Sequence, residues 1–247
     1  MRIQMTVFEC ANINKTYKNF ALKDISFRLE SGYLTALIGP NGSGKTTLFQ
    51  CISGAARNFT GDASIDGISL HSEPEKYKEK IGFVSETLSF YLESSILENG
   101  HLLGTFFSDW SMEDYYTYLD KMELPPSKLL YQLSKGEMMK MQFCFAMAHR
   151  PRFLLLDEPM AGFDPVFRRD FLAMMQDILN KNIGILLSTH ITEDLDKLAD
   201  YVLVLKDGKL VQNNTREVLE DQHRNTAPKR KEPDASFERF HIRDLLS

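Results

Sequence analysis

Cysteine and tryptophan are scarce in this sequence of 247 residues, which has three cysteines and one tryptophan. Cys10, Cys51 and Cys144 lack the paired spacing of a zinc site or a disulfide framework, so we expect each to pack as a small apolar residue. No run reaches the roughly 18–20 apolar residues that cross a bilayer, and residues 1–5 do not introduce the apolar stretch of a signal peptide. If the protein works at a membrane, another polypeptide must hold it there.

An excess of positive charge is also missing. The net charge is −5, with 43% hydrophobic and 26% charged residues, which is ordinary for a globular protein with a substantial core. A chain that binds nucleic acid over its whole surface is typically basic, so no nucleic-acid partner is expected. The length fits one large domain.

Short apolar segments and segments of helical spacing alternate in the second half of the chain. We predict helices at 135–149, 165–180 and 192–198, and strands at 152–156, 183–188 and 200–205. This order predicts a mostly parallel sheet with helices on both faces. Earlier segments at 6–13, 21–29, 33–38 and 61–70 are typical of strands and hairpins. Residues 87–131 differ, since charge, aromatics and helical spacing dominate there.

The strongest local signal is a glycine-rich loop, which reads Gly39-Pro40-Asn41-Gly42-Ser43-Gly44-Lys45-Thr46-Thr47. It matches the phosphate-binding pattern GxxxxGK[ST] and stands between a predicted strand and a predicted helix. Its glycines let successive N–H groups point at one anion, and the helix dipole favours negative charge there. Lys45 would meet the β- and γ-phosphates of ATP, and the Thr46 hydroxyl would bind Mg²⁺. A plain glycine-rich turn is the alternative.

A second motif is the apolar strand Phe153-Leu154-Leu155-Leu156, which ends in Asp157 and Glu158. Parallel sheets place ligands at the carboxyl ends of their strands. Asp157 would hold Mg²⁺ directly or through water, and Glu158 would act as general base on the attacking water. A strand followed by a solvated acidic turn is the alternative, which the upstream glycine-rich loop disfavours.

Three further segments narrow the class of protein: Leu133-Ser134-Lys135-Gly136-Glu137, Ala161-Gly162-Phe163-Asp164 and Ser188-Thr189-His190. In order and spacing they resemble the signature, D-loop and switch histidine of ABC transporter ATPase subunits, and the resemblance covers about residues 8–220. It implies an α/β fold with a P-loop NTPase core, an N-terminal antiparallel β subdomain and an inserted α-helical subdomain at about 87–140. The domain would span residues 1–222 and a flexible tail residues 223–247.

The resemblance also implies that two ATPase subunits enclose two nucleotides head to tail. Ser134 and the amides near Gly136 open a helix and would face the γ-phosphate of ATP held by the partner. His190 would stabilise charge as the bond breaks, and Tyr17 would stack on adenine. The alternatives are a structural, hydrogen-bonded histidine and a surface tyrosine in a hairpin.

The sequence departs from the family pattern at three positions. Glu86 stands where a glutamine is usual, which keeps an oxygen for Mg²⁺ but brings a negative charge beside phosphates. Lys135 and Glu137 replace the usual glycine and glutamine of the signature. A Leu-Ser-Lys-Gly signature resembles the branch of antibiotic and peptide exporters.

The expected function is ATP hydrolysis that powers transport, in the direction of export, through a separate integral membrane permease subunit. The second ATPase subunit would be an identical copy or a close paralogue, and the protein would sit on the cytoplasmic face of the cell membrane. The alternatives are an ABC ATPase that acts on ribosomes or DNA, and a regulatory nucleotide-binding module. The intact Glu158 and His190 favour hydrolysis over the regulatory alternative.

Overall fold

A computed structural model describes residues 5–86, 90–189, 196, 198–226 and 241–246, with the backbone alone at 222–226. The strands are β1 Val7–Thr16, β2 Ala21–Glu30, β3 Leu34–Ile38, β4 Thr60–Ile65, β5 Ile68–Ser69, β6 Ile81–Val84, β7 Phe153–Asp157, β8 Gly184–Ser188, β9 Tyr201–Lys206 and β10 Lys209–Thr215. The helices are α1 Lys45–Ile52, α2 Pro74–Glu79, α3 Ile96–Gly104, α4 Met112–Lys121, α5 Lys135–Ala148, α6 Pro165–Asn180 and α7 Arg216–Thr226. Short 3₁₀ helices lie at Leu130–Gln132 and Ile242–Leu246.

The strands form two sheets. A four-stranded antiparallel sheet has the order β2-β1-β4-β5, and a six-stranded sheet has the order β10-β9-β3-β8-β7-β6. Strands β9, β3, β8, β7 and β6 run parallel, and β10 returns antiparallel along β9. The predicted fold class, a mostly parallel sheet with an antiparallel β subdomain before it, is confirmed.

Burial explains why the two sheets have different sequences. Strands β3, β7 and β8 are buried along their whole length, so they read as continuous apolar runs. Strand β2 alternates instead, with Ile25, Phe27 and Leu29 buried and the residues between them exposed. The two sheets share a core in which the Phe8 ring meets Phe27 at 6.2 Å and Phe153 at 5.7 Å between centroids.

Helices α3, α4 and α5 lie in the chain between β6 and β7. The methionines Met139, Met141 and Met147 of α5 are buried in the core. Tyr115 of α4 is buried too, and its hydroxyl donates to the carbonyl of Ile96 at 3.1 Å. Within the part of the chain that the structure describes, every helix is too short or too polar to cross a membrane.

The C-terminal residues that the structure describes return to the core. Ile242 is buried, and its backbone N–H donates to Asp196 Oδ1 at 2.8 Å. His241 Nδ1 lies 2.5 Å from Asp196 Oδ2. Most of the predicted tail, and most of the helix predicted at 192–198, lie outside the described residues, so the proposed domain limits stay predictions.

Candidate nucleotide-binding site

The order of three neighbouring strands assembles the candidate site. Strands β3, β8 and β7 lie side by side and run parallel, with Leu37 opposite Ser188 and Ser188 opposite Asp157. Their carboxyl ends therefore meet at one edge of the sheet, where parallel α/β folds bind ligands. The glycine-rich loop follows β3 at this edge, and Glu158 follows β7.

The glycine-rich loop ends where α1 begins. Gly44 is the N-cap residue, with φ of +108°. A Cβ atom there would lie 2.5 Å from Phe20 Cζ and 2.7 Å from Leu22 Cδ2, so no other residue fits without displacing both side chains. The first turn of a helix carries N–H groups without partners inside the helix. This geometry thus turns the start of α1, at Lys45 and Thr46, into an anion site.

Lys45 lies over its own loop. Its Nζ donates to the Gly39 carbonyl at 2.7 Å and to the Pro40 carbonyl at 3.3 Å. Burial lowers the pKa of Lys45, while the charges of Glu158 and Asp157 oppose that change. The carboxylates that favour the ammonium form are therefore those of the predicted acidic motif.

A buried hydroxyl in the loop fits a phosphate ligand. Ser43 is 2% exposed, and its Oγ has no hydrogen-bond partner within the described part of the chain. Buried polar atoms in proteins almost always have partners. A phosphate oxygen would accept the hydrogen bond that this hydroxyl can donate.

Asp157 is buried among hydroxyl groups at the end of β7. Ser188 Oγ donates to Asp157 Oδ1 at 2.6 Å, and the Thr46 hydroxyl also hydrogen-bonds to this carboxyl. Burial raises the pKa of Asp157 above its ordinary value, and both hydrogen bonds oppose the rise. Hard oxygen donors of this kind suit Mg²⁺, which in nucleotide sites takes only one or two protein ligands besides phosphates. The residues present therefore fit the predicted metal.

Glu158 leaves the strand in an unusual backbone conformation. Its φ is +52°, in the left-handed region that non-glycine residues rarely adopt. Two hydrogen bonds hold it there, since its N–H donates to the Ser188 carbonyl at 3.2 Å and to Ser188 Oγ at 3.1 Å. Strained backbone of this kind clusters at functional sites.

Sequence reasoning gave no role to Ser188, although its hydroxyl joins both acidic residues. It was noted only as the first residue of Ser188-Thr189-His190. The feature of the sequence that could have indicated this role is a hydroxyl residue at the end of an apolar strand. Its bonding to Asp157 became evident only from strand pairing.

The signature segment begins α5 with a capping box. Ser134 Oγ accepts from the Glu137 N–H at 3.2 Å, and Glu137 Oε2 accepts from the Ser134 N–H at 2.9 Å. Lys128 Nζ lies 2.7 Å from Glu137 Oε1, and this contact is the main cause that lowers the pKa of Glu137. Both glutamate and glutamine complete such a box, which accounts for the glutamate at this position.

Gly136 brings the signature against the D-loop. A Cβ atom at Gly136 would lie 2.9 Å from the Gly162 carbonyl oxygen, closer than Cβ atoms approach other atoms. The start of α5 is thereby fixed against the loop that follows Glu158. Ser134 and Gly136 were predicted to act on a partner's nucleotide, and their contacts here are with Glu137 and Gly162.

Three other predicted site residues, Tyr17, Glu86 and His190, are not described in contact with the glycine-rich loop or the acidic motif. Tyr17 is 46% exposed at the turn between β1 and β2, with Lys15 Nζ 5.1 Å from its ring centroid. Glu86 follows β6 and forms an ion pair with Lys135, at 2.6 Å between Oε1 and Nζ. His190 lies outside the described residues, so its role stays a prediction.

A comparison with protein families decides the class. Residues 22–161 match the family model described as ABC transporter. The chain belongs to the ABC transporter family. Within it the chain is an ATP-hydrolysing subunit of the kind that supplies energy for transport through separate membrane subunits, as the resemblance predicted.

Curated relatives carry names from several transport systems. The energy-coupling factor transporter ATP-binding protein EcfA2 of Ligilactobacillus salivarius is 29% identical, over 85% of this chain and 80% of that protein. The lipopolysaccharide export system ATP-binding protein LptB of Haemophilus influenzae is 29% identical, over 88% and 95%. The linearmycin resistance ATP-binding protein LnrL of Bacillus subtilis is 27% identical, over 85% and 70%.

Solved structures agree on the fold. An ATP-binding subunit of an ABC transporter, 28% identical, matches with a TM-score of 0.80 over 90% of this chain and 95% of that one. A dimeric ATP-binding cassette in a post-hydrolysis state with ADP and Pi, 22% identical, matches with a TM-score of 0.75 over 84% and 98%. At that identity the second structure supports the fold alone.

Proposed function

We propose that this chain binds Mg-ATP between its glycine-rich loop and its acidic motif, and cleaves the γ-phosphate to drive export. The observation that carries the proposal is the meeting of Thr46, Asp157 and Ser188 at the sheet edge that also bears the loop. The buried Ser43 hydroxyl without a described partner supports a phosphate ligand in that loop. Three kinds of group converge there: amides, one ammonium and carboxylates.

Each residue has a role that follows from its chemistry. The loop amides and Lys45 hold the β- and γ-phosphates in place. Thr46 and Asp157 would hold Mg²⁺, and the ion would neutralise charge on the phosphates when bound. The Glu86 carboxylate is instead paired with Lys135. Glu158 takes a proton from the attacking water as general base. His190 would stabilise the charge on the transferred phosphoryl group, and Tyr17 would stack on adenine.

The composite site requires a second subunit, either another copy of this chain or a close paralogue. Ser134 and Gly136 stand at the N-terminus of α5, which offers amides to an anion. Because each chain would hold half of each site, hydrolysis should rise more steeply than in proportion to protein concentration.

An apolar groove supports docking of a membrane permease on the cytoplasmic face. The groove has a volume of about 370 Å³ and lies between the α/β core and α3. Phe106 at its rim is 78% exposed, and Phe107 and Phe90 line it. Exposed apolar surface of this kind marks interaction sites. Export is supported by the names of LptB and LnrL, which describe a lipopolysaccharide export system and linearmycin resistance.

The test of the proposed chemistry uses two substitutions. Glu158→Gln should keep Mg-ATP binding and dimer formation but lower turnover by about 10²-fold or more, because the base is lost while the phosphate contacts remain. Lys45→Ala should abolish measurable ATP binding. Equilibrium binding of a fluorescent ATP analogue and a steady-state phosphate-release assay measure both effects.

Full turnover in Glu158→Gln would remove Glu158 from its role, and unchanged affinity in Lys45→Ala would contradict the loop assignment. Binding without turnover in the parent chain would favour the regulatory alternative.

The groove is tested separately. Phe106→Asp should lower the amount of chain recovered with membranes, since a charge at the rim opposes an apolar contact, while ATP binding stays unchanged. Tyr116→Asp is the control, because Tyr116 is an exposed aromatic residue of α4 outside the groove. Equal membrane recovery of the two variants would contradict the docking site.

A further inference from the structure

Two departures from the family pattern contact each other. Glu86 replaces the usual glutamine after β6, and Lys135 replaces a usual glycine in the signature. The Nζ of Lys135 lies 2.6 Å from Glu86 Oε1, and both side chains are about half exposed, at 56% and 53%. Neither residue was expected to affect the other from the sequence.

The pair lies one strand away from the acidic motif. Strand β6 runs parallel to β7, with Val84 opposite Leu156, so the segment that carries Glu86 leaves the sheet at the same edge as Asp157 and Glu158. Neighbouring strands are separated by about 4.8 Å. A carboxylate at position 86 therefore adds a negative charge at the sheet edge proposed for the triphosphate.

A second contact fixes the end of β6 to the same helix. The N–H of Ser85 donates to Gln142 Oε1 at 3.0 Å, and Gln142 is buried in α5. Lys135 is the first residue of α5. The helix thus holds the segment after β6 by a buried hydrogen bond and, about two turns earlier, by the exposed ion pair.

We propose that Lys135 is a positioning residue for the carboxylate of Glu86: it neutralises this charge and directs it toward α5, so that Mg-ATP binds the same chain without repulsion. The inference rests on the proposed function. It assigns Lys135 a role within its own subunit, in addition to the role of the signature toward the partner's nucleotide.

The expected size of the effect follows from the exposure of the pair. Exposed ion pairs contribute little because water and salt screen them. Removing Lys135 should therefore weaken Mg-ATP binding by about twofold to fivefold at low salt. The effect should shrink at high salt, whereas a loss of packing would not.

A double-mutant cycle tests the coupling. Lys135→Met, Glu86→Gln and the double variant are compared with the parent by titration with a fluorescent ATP analogue and Mg²⁺. The titrations use protein concentrations at which size-exclusion chromatography shows a monomer, so that no partner signature is present. We expect Lys135→Met to weaken binding in the parent background and to have no effect in the Glu86→Gln background. Lys135→Arg should bind as the parent does.

A matched pair elsewhere serves as the control. Arg150 Nε lies 2.8 Å from Asp114 Oδ2, and these side chains are also exposed. Arg150→Met and Asp114→Asn remove the same kind of ion pair away from the proposed site. Their nucleotide affinity should equal that of the parent, and thermal unfolding of all variants checks that each is folded.

Two results would overturn the inference. Equal weakening by Lys135→Met in both backgrounds would mean that Lys135 acts without Glu86, and parent-like binding by Lys135→Met would mean that the pair does not affect the nucleotide. If the parent itself did not bind Mg-ATP, the proposed function would be wrong. If the parent binds Mg-ATP but the effects of Lys135→Met and Glu86→Gln are additive, only the role of Lys135 is overturned.

Discussion

Ser188→Ala tests the bridge between the two acidic residues. Ser188 is fully buried, its Oγ donates to Asp157 at 2.6 Å, and it accepts from the Glu158 N–H at 3.1 Å. A hydrogen bond to a charged group contributes about 1.5–3 kcal/mol and a neutral one about 0.5–1.5 kcal/mol. The variant should therefore lose about 2–4.5 kcal/mol of unfolding free energy. Turnover should fall more than ATP affinity, since the loop amides and Lys45 are untouched.

The pH dependence gives a second measure of the same bridge. The Ser188 hydrogen bond lowers the pKa of Asp157, against the rise that burial causes. Without the hydroxyl this pKa should rise further, so Mg²⁺-dependent ATP binding should need a higher pH than in the parent. Titration of binding from acid to neutral pH measures the change.

Ser69→Ala is the matched control. Ser69 Oγ also donates to an aspartate, Asp62 Oδ2 at 2.5 Å, but in a half-buried position on the antiparallel sheet. Ser69 Oγ also accepts from the N–H groups of His71 and Ser72, both at 3.1 Å. Ser69→Ala should therefore lower the free energy of unfolding too, but it should leave ATP turnover unchanged. Urea denaturation measures both free energies of unfolding. If Ser188→Ala were as stable as the parent, or hydrolysed ATP as fast as the parent and Ser69→Ala, the bridge would have no part in the site.

Two further predictions concern charge and packing. Asp157→Asn should lower turnover by about 10²-fold or more but raise the free energy of unfolding at neutral pH. Burial raises the pKa of the Asp157 carboxyl in the folded chain. Its contribution to stability is therefore full below its ordinary pKa and is lost as pH rises through the folded value. Urea denaturation across that range checks it, and a variant less stable than the parent at neutral pH would contradict it. Gly136→Ala should lower the free energy of unfolding by about 1–3 kcal/mol, because its Cβ would meet the Gly162 carbonyl at 2.9 Å. An unchanged free energy of unfolding would show that the D-loop backbone moves to accept the methyl group without loss of stability.

Local signals predicted a long helix and two buried strands closely but missed a short helix. The helix predicted at 165–180 was confirmed as Pro165–Asn180, because Asp164 caps it and Pro165 favours its first turn. Strands predicted at 183–188 and 152–156 were displaced by one residue at most at each end. The short helix Pro74–Glu79 was not predicted, since six residues are too few to show a helical period.

The sequence by itself determined the chemistry of the phosphate loop and the acidic motif, because consecutive residues carry their own geometry: glycine at a positive φ, a lysine at a helix start, carboxylates at a strand end. Only the tertiary structure decided which distant residues meet them. Ser188 reaches Asp157 through the pairing of β7 with β8, and Glu86 reaches Lys135 through the packing of β6 against α5. Contacts of this kind depend on strand order and helix placement, which local residue patterns do not encode.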